Sequence, residues 1–186
     1  EWQGGIFILW SGASIDKANI SNADGTGSCA LIDAVPLTEL AVKAGAGGVL
    51  MLPPFYYKDP SDDGLFAYYS EIIQQVGDER LRVYLYHFPQ MSAIPISFGL
   101  IERLLKDYPL TVVGMKDSSG DLDNMASAAK EFPGFAVLSG QDNLLLPLLQ
   151  AGGTGCITAC ANVGSELAAA VYEGFTDGVD VHAVNQ

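Results

Sequence analysis

A lysine at the end of an apolar run is the residue whose position in this sequence most suggests chemistry. Lys116 closes the segment "TVVGMK", just before the turn residues "DSSG". Alternation along a strand would place Val112, Gly114 and Lys116 on one face, where Gly114 leaves space beside the lysine stem. Desolvation disfavours the ammonium form, so part of the amine would be neutral and able to attack a carbonyl carbon. This pattern indicates Schiff-base chemistry; the alternative is a lysine that leaves the strand and pairs with Asp117 in solvent.

Two aromatic segments lie where they could assist such a lysine. Tyr86, in "RVYLYHFP", ends the apolar run that precedes the lysine segment. A phenol can move protons near a carbonyl carbon when its own proton is relayed, although a half-buried strand tyrosine with a hydrogen-bonded hydroxyl is the alternative. The loop "PPFYYK" adds Phe55, Tyr56 and Tyr57 after another apolar run. This loop is predicted to be either a subunit contact or a relay partner.

The other lysines fit structural roles better. Lys43, Lys106 and Lys130 fall in the last turns of predicted helices, where a cation complements the helix dipole. Lys58 follows the aromatic loop beside Asp59, which favours a solvated charge. These positions leave Lys116 as the candidate nucleophile.

Neither the histidines nor the cysteines predict a metal site or a cofactor. The histidines are His87 and His182, and His87 alternates with a tyrosine in a way that favours a structural role. Cys29, Cys156 and Cys160 lack metal-type spacing, so we interpret them as reduced, packed thiols of a cytoplasmic protein.

Short apolar runs alternate with amphipathic stretches from Gly47 onward, which is the pattern of a parallel sheet with crossover helices. The predicted strands are Val49–Pro53, Arg82–His87, Thr111–Lys116, Phe135–Ser139 and Gly155–Ala159. Helices are predicted at about 30–44, 62–76, 97–107, 121–131, 142–151 and 165–175. Ser97 is a predicted N-cap, and Gly45 is a predicted helix stop.

The predicted fold is α/β: an incomplete (βα)8 barrel with parallel strands and outer helices. An open dinucleotide-binding sheet is disfavoured because "AGAGGVL" precedes a strand instead of following one. Residues 1–24 form an uncertain segment, with one strand near Ile6–Trp10 and a polar loop in "ANISNADGTG". Residues 25–175 form the barrel portion, and residues 176–186 form a tail. The chain looks short for a barrel, which typically needs about 250 residues.

Composition excludes two classes of partner. The net charge is −13 with nine basic residues, so a surface for nucleic acid or for anionic membranes is not expected. With so few basic residues, a small anion would have to be held by local groups. The 186 residues are 49% hydrophobic, which is enough for a sizeable core.

The assembled motifs resemble those of the dihydrodipicolinate synthase and N-acetylneuraminate lyase family of class I pyruvate aldolases. The resemblance runs through "GTGSCALIDAVPLTELAVKAGAGGVLMLPPFYYK", "YLYHFP", "VVGMKDSSGD" and "LSGQDNLLLPLLQAGGTGCITACANV". It implies a (βα)8 barrel in which Lys116 forms an imine with pyruvate or a related 2-oxo acid. Tyr86 would transfer protons, Tyr56 would complete the relay, often across a subunit interface, and Gly140 and Ile157 would line the pyruvate pocket. It also implies an aldehyde as second substrate and a homo-oligomer.

Two departures from the family pattern leave a second hypothesis open. Synthase members carry an arginine shortly after "LYxxP", where this chain has Met91, and the family's Thr-Thr-Gly-Glu motif for the pyruvate carboxylate is absent. The main hypothesis is a Schiff-base lyase, aldolase or dehydratase. The alternative is a non-catalytic barrel fragment or assembly module. Hydroxyl and backbone hydrogen-bond donors from Ser11 or Ser14 beside Lys116 would favour the main hypothesis, the Schiff-base enzyme.

Overall fold

The computed structural model describes residues 7–8 and 21–181, in which parallel strands alternate with helices. The strands are β1 (Phe7–Ile8), β2 (Ser21–Gly25), β3 (Gly48–Met51), β4 (Val83–His87), β5 (Val112–Asp117), β6 (Ala136–Ser139) and β7 (Gly155–Cys156). The helices are α1 (Leu31–Lys43), α2 (Asp62–Val76), α3 (Pro89–Ser92), α4 (Phe98–Asp107), α5 (Leu122–Glu131), α6 (Leu145–Gln150) and α7 (Ala161–Thr176). These elements form two compact units, 23–115 and 116–181, and the second also includes 7–8 and 21–22.

The unit of residues 23–115 contains four parallel strands in the order β2, β3, β4, β5. The register places Ala23 opposite Gly48 and Leu50 opposite Tyr84. Gly48 has no room for a side chain, because a Cβ there would lie 2.6 Å from the Tyr84 ring. Packing of the Tyr84 ring against β3 thus requires glycine at position 48.

Serine N-caps fix where two helices of this unit begin. The Ser61 Oγ accepts a hydrogen bond from the Gly64 amide at 3.2 Å, and the Ser97 Oγ accepts one from the Leu100 amide at 3.0 Å. Each bond satisfies an amide that has no partner within its helix, which favours a helix start at that residue. The predicted N-cap at Ser97 is confirmed, and α4 buries the predicted apolar stripe at Leu100, Ile101 and Leu104.

In the second unit the end of β5 is followed by β6 and β7, again parallel. The Gly140 amide donates to the Asp117 carbonyl at 2.7 Å, and Leu138 lies opposite Gly155. The core of this unit lies between α6, α7 and β7 and includes Leu145, Leu146, Leu149, Cys156 and Val171. These contacts hold the carboxyl ends of β5, β6 and β7 side by side.

The five predicted strands and six predicted helices are present, but β7 ends three residues before the predicted Ala159, and α3 was not predicted. Residues 21–25 form β2, so the polar-loop prediction for "ANISNADGTG" is wrong there. The predicted helix at 142–151 is a 3-10 turn, Asp142–Leu144, followed by α6. Helix α7 begins four residues early, with a kink at Gly164, whose φ of −133° is not helical. The predicted boundaries after residues 24 and 175 stay predictions.

No helix in the described ranges is long and apolar enough to cross a membrane. The predicted roles of Ser11, Ser14 and His182 fall outside the described residues.

Candidate active site

Lys116 lies at the carboxyl end of β5 with its side chain buried. It is only 6% exposed, and Val112, Gly114 and Met115 before it are buried as well. Asp117, the next residue, is 0% exposed. The alternative in which Lys116 pairs with Asp117 in solvent is therefore wrong, because both residues are buried.

Asp117 instead organises the turn that follows the lysine. One carboxylate oxygen accepts a hydrogen bond from the Ser119 amide, and the other accepts one from the Asn124 Nδ2, both at 2.7 Å. A buried carboxylate needs such donors, since burial without them costs several kcal/mol. The bonds tie the turn to α5 and so fix the backbone on the carboxyl side of Lys116.

Gly140 and Ile157 lie at the carboxyl ends of β6 and β7, in the same unit as Lys116. The Ile157 amide donates to the Ser139 carbonyl at 2.8 Å. The Gly140 and Ile157 amides thus both donate to a neighbouring strand. A backbone contact from either residue to a ligand would therefore use its carbonyl oxygen. A Cβ at Gly140 would lie 2.0 Å from the Ser118 Oγ. Close approach of the two loops thus requires glycine at this position.

The Asp142 carboxylate interacts with Thr158, Cys156 and Cys160 in this unit. This residue was not identified in the sequence analysis. Its carboxylate accepts a hydrogen bond from the Thr158 hydroxyl. Burial raises the pKa of the Cys156 thiol to about 12; the Asp142 charge adds to this shift, and the Lys116 charge opposes it. Lys116 and Asp142 therefore act on the same buried thiol. The available signal for Asp142 was its position shortly after the predicted strand Phe135–Ser139.

The three cysteines are free, but they are not equally packed. Cys156 is buried, as predicted, and Cys29 is half-buried. The prediction is wrong for Cys160, which is exposed. A hydrogen bond to Asp142 and the charge of that carboxylate raise the pKa of the Cys160 thiol. Within the described ranges, no three His, Cys, Asp or Glu side chains converge as a metal site requires.

In the other unit, Tyr86 and His87 end strand β4. Tyr86 is half-buried, and its ring stacks on Phe88 with centroids 5.8 Å apart. His87 is buried, and its Nδ1 accepts a hydrogen bond from the Ile96 amide at 3.1 Å. The predicted structural role of His87 is thereby confirmed, because the bond anchors the segment before α4.

The aromatic loop after β3 is strongly exposed. Phe55, Tyr56 and Tyr57 are 43%, 76% and 57% exposed, and the rings of Tyr56 and Tyr57 meet edge to face at 5.9 Å. The Tyr56 amide donates to the Cys29 Sγ at 3.2 Å. This bond ties the backbone of the loop to the N-terminal side of α1, while the tyrosine rings remain exposed.

Comparisons with known proteins agree on one family. The sequence model of the Dihydrodipicolinate synthetase family matches residues 7–186. An uncharacterized DapA-like lyase of Chloroflexus aurantiacus is 35% identical over 167 residues, which are 90% of this chain and 56% of that protein. The 4-hydroxy-tetrahydrodipicolinate synthase of Methanopyrus kandleri is 36% identical over 155 residues, 83% of this chain and 50% of that protein.

Solved structures show the same relation. The 4-hydroxy-tetrahydrodipicolinate synthase of Methylacidiphilum fumariolicum superposes with a TM-score of 0.77 at 32% identity and covers 86% of this chain and 52% of its own. YagE of E. coli, solved in complex with pyruvate, gives 0.79 at 27% identity and covers 89% and 55%. The chain thus spans about half the length of the relatives it matches, and its fold is an incomplete (βα)8 barrel, as predicted.

Proposed function

We propose, from the premise that this chain belongs to the dihydrodipicolinate synthetase family, that it is a class I lyase or aldolase acting on pyruvate or a related 2-oxo acid. Membership supports a lyase-like function, and the proposal adds the substrate and the residues. Lys116 would form the imine, Tyr86 would transfer protons, and Tyr56 would relay them. Gly140 and Ile157 would line the pocket.

The observation that carries the proposal is the burial of Lys116 at the carboxyl end of β5. Lysine is seldom buried unless its amine is paired or takes part in chemistry, so a buried lysine at the end of a barrel strand is a candidate catalytic residue. In (βα)8 barrels the carboxyl ends of the strands hold the catalytic groups. Lys116, Gly140 and Ile157 all lie at such ends, on β5, on the turn after β6 and on the turn after β7.

The proposed mechanism begins with attack of the neutral Lys116 amine on the ketone carbon of the 2-oxo acid. The nitrogen loses a proton, the ketone oxygen leaves as water, and a protonated imine remains. This cation accepts the electron pair released when a proton or an aldehyde fragment leaves carbon 3, which gives an enamine. Tyr86 supplies and removes the protons at these steps, with Tyr56 as relay. In the reverse direction the enamine adds to an aldehyde.

The proposal also includes self-association and a cytoplasmic location. Exposed Tyr56 and Tyr57 favour a subunit contact in which the aromatic loop is covered. Free thiols at Cys29 and Cys160 agree with a reducing compartment.

Deuterium exchange at carbon 3 of pyruvate, followed by proton NMR in D2O, tests the function. We expect exchange with the wild-type chain and none with Lys116→Met, because the enamine cannot form without the imine. Lys130→Met is the matched control, since Lys130 lies in the last turn of α5, and it should exchange like wild type. Tyr86→Phe should slow exchange by roughly 10² to 10⁴ while imine formation persists.

Two results would overturn this function. Exchange that persists in Lys116→Met would exclude Lys116 as the imine residue. No exchange from a folded wild-type chain would favour the alternative, an assembly module that retains the barrel segment without catalysis.

A further inference from the structure

The residues around Tyr86 bear on the identity of the aldehyde, the second substrate of the proposed function. In the mechanism above, Tyr86 moves protons where the bond to the aldehyde forms or breaks. The aldehyde carbonyl must then lie within reach of the Tyr86 hydroxyl, directly or through one water, and its substituent must contact neighbours of Tyr86. Those neighbours indicate the class of the aldehyde, an inference that rests on the proposed function.

An apolar surface continues from Tyr86 into the segment after β4. The Tyr86 and Phe88 rings stack with an interplanar angle of 21° and centroids 5.8 Å apart, and both residues are only half-buried. The Met91 amide donates to the Phe88 carbonyl at 3.0 Å, and Met91 is 72% exposed. Aromatic rings and a thioether, which pack well against apolar groups, thus lie together after β4.

Buried hydrogen bonds fix the backbone of this segment. The Ser92 hydroxyl donates to the Phe88 carbonyl at 3.0 Å, and the Ile94 amide donates to the Ser92 Oγ at 3.2 Å. Further along, the Ile96 amide donates to the His87 Nδ1 at 3.1 Å. The apolar surface is therefore formed before a ligand arrives, which reduces the entropy lost on binding.

The same segment carries no charge. Residues 83–101, which include β4 and α3, contain no Asp, Glu, Lys or Arg. The His87 ring is neutral, because its Nδ1 accepts a hydrogen bond and an imidazolium has only donors. A carboxylate placed against this surface would lose water without gaining an ionic partner, which costs free energy. An uncharged substituent meets no such cost.

The basic residues of the unit 23–115 are engaged or located elsewhere. Arg82 donates to backbone carbonyls before β4, at the opposite end of the strand from Tyr86. Lys106 lies in the last turn of α4, and Lys58 borders a cleft between α2, the start of α1 and the aromatic loop. No residue of β4 or α3 lines that cleft. The others form ion pairs with carboxylates at 2.7 to 2.8 Å: Lys43, Arg80 and Arg103.

We propose that the second substrate is an uncharged aldehyde with an apolar substituent, and that Phe88 and Met91 contact this substituent. The enamine nitrogen supplies the electron pair with which carbon 3 attacks the aldehyde carbon. The carbonyl electron pair moves to oxygen, which takes a proton from Tyr86. Water then hydrolyses the imine, which releases a 4-hydroxy-2-oxo acid and restores the Lys116 amine. Cleavage runs through the same steps in reverse.

Two aldehydes that differ in charge test this preference with the full chain. Methyl 4-formylbenzoate is uncharged, whereas 4-carboxybenzaldehyde carries a carboxylate at the same ring position. The measured quantity is the ratio of kcat/KM for the neutral aldehyde to kcat/KM for the anionic one, with pyruvate saturating. We expect a wild-type ratio above roughly 10. Met91→Arg should lower this ratio about tenfold or more, because a guanidinium can pair with the carboxylate. The intrinsic reactivities of the two aldehydes cancel in that comparison.

Leu110→Arg is the matched control. It introduces the same cation at a 78% exposed apolar position of the same unit, in the turn before β5, and should leave the ratio at the wild-type value. Circular dichroism melts show whether each variant is folded.

Several results would overturn the aldehyde preference while the proposed function stands. They are a wild-type chain that favours 4-carboxybenzaldehyde, an unchanged ratio in Met91→Arg, and an equal fall of the ratio in Leu110→Arg. Absence of product from both aldehydes, in a chain that exchanges deuterium at carbon 3 of pyruvate, would also overturn it. Absence of that exchange would overturn the proposed function and the aldehyde preference together.

Discussion

Burial separates Lys116 from the other lysines in the described part of the chain. Lys43, Lys106 and Lys130 lie in the last turns of helices, and Lys58 lies on an exposed loop. Among these lysines, only Lys116 is buried, and the Asp117 carboxylate beside it accepts hydrogen bonds from Ser119 and Asn124. Lys116 is therefore the one of these lysines that the fold encloses.

Gly140→Ala tests how tightly the turn after β6 packs against the turn that follows Lys116. The added Cβ would meet the Ser118 Oγ at 2.0 Å and the Ser118 Cα at 2.9 Å, so backbone must move. We expect the free energy of unfolding to fall by about 1–3 kcal/mol in urea titration. Gly164→Ala in the same unit is the control, because a Cβ there meets no atom within 4 Å. Equal stability of the two variants would show that the turns are not in close contact.

Asp142→Asn tests the electrostatic link between Asp142 and Cys160. The hydrogen bond and negative charge of Asp142 raise the pKa of the Cys160 thiol, and the thiolate is the form that reacts with iodoacetamide. Removing the charge should lower that pKa, so alkylation at pH 8 should be faster and its pH midpoint should move down. Peptide mass spectrometry follows Cys160 alone. Cys156, buried with a pKa raised to about 12, should stay unmodified in both proteins. An unchanged pH profile at Cys160 would contradict the link.

The burial of Lys116 could be predicted from sequence, because this residue lies on a strand. Lys116 closes the apolar run "TVVGMK", and the desolvation expected from that run agrees with its burial at the end of β5. Asp142 and Thr158 could not be found in this way, because they lie on turns and meet through the spatial adjacency of β6 and β7. The exposure of Cys160 was not predicted for a different reason: an apolar, small-residue stretch does not show which positions face solvent.

At the scale of single elements, the C-terminal end of α3 holds a residue in an unfavourable conformation. Ala93 has a φ of 57°, in the left-handed region that glycine adopts without steric cost. Ala93→Gly should therefore raise the free energy of unfolding by roughly 1 kcal/mol, measured by urea titration. Ala126→Gly, within α5, should lower it by roughly 0.5–1 kcal/mol. A loss of stability in Ala93→Gly would contradict the assigned backbone conformation.

Strands and helices were predicted correctly where apolar residues are periodic. The prediction failed where pairing between strands determines the structure. Strands β3 to β7 follow from apolar runs, and α4 follows from its stripe and its serine cap. Strand β2, "SNADG", has residues that disfavour strands, yet it pairs in register with β3, so Ala23 lies opposite Gly48. Pairing with a neighbouring strand overrides local preference there, and such pairing is not visible in one segment of sequence.

At the scale of the whole molecule, the net charge of −13 bears on binding of the proposed 2-oxo acid substrate. An anionic protein repels a 2-oxo acid at long range, so attraction must come from groups in the site. A protonated imine at Lys116 would keep a positive charge beside the substrate carboxylate after the bond forms.

Borohydride reduction in the presence of pyruvate, followed by intact mass and peptide mapping, tests the imine at Lys116 most directly. Reduction converts the imine into a stable amine, so the adduct marks the reacting nitrogen. We expect one adduct per chain, confined to the peptide that contains Lys116 and absent from Lys116→Met. An adduct at another lysine, or none from a folded wild-type chain at saturating pyruvate, would contradict imine formation at Lys116.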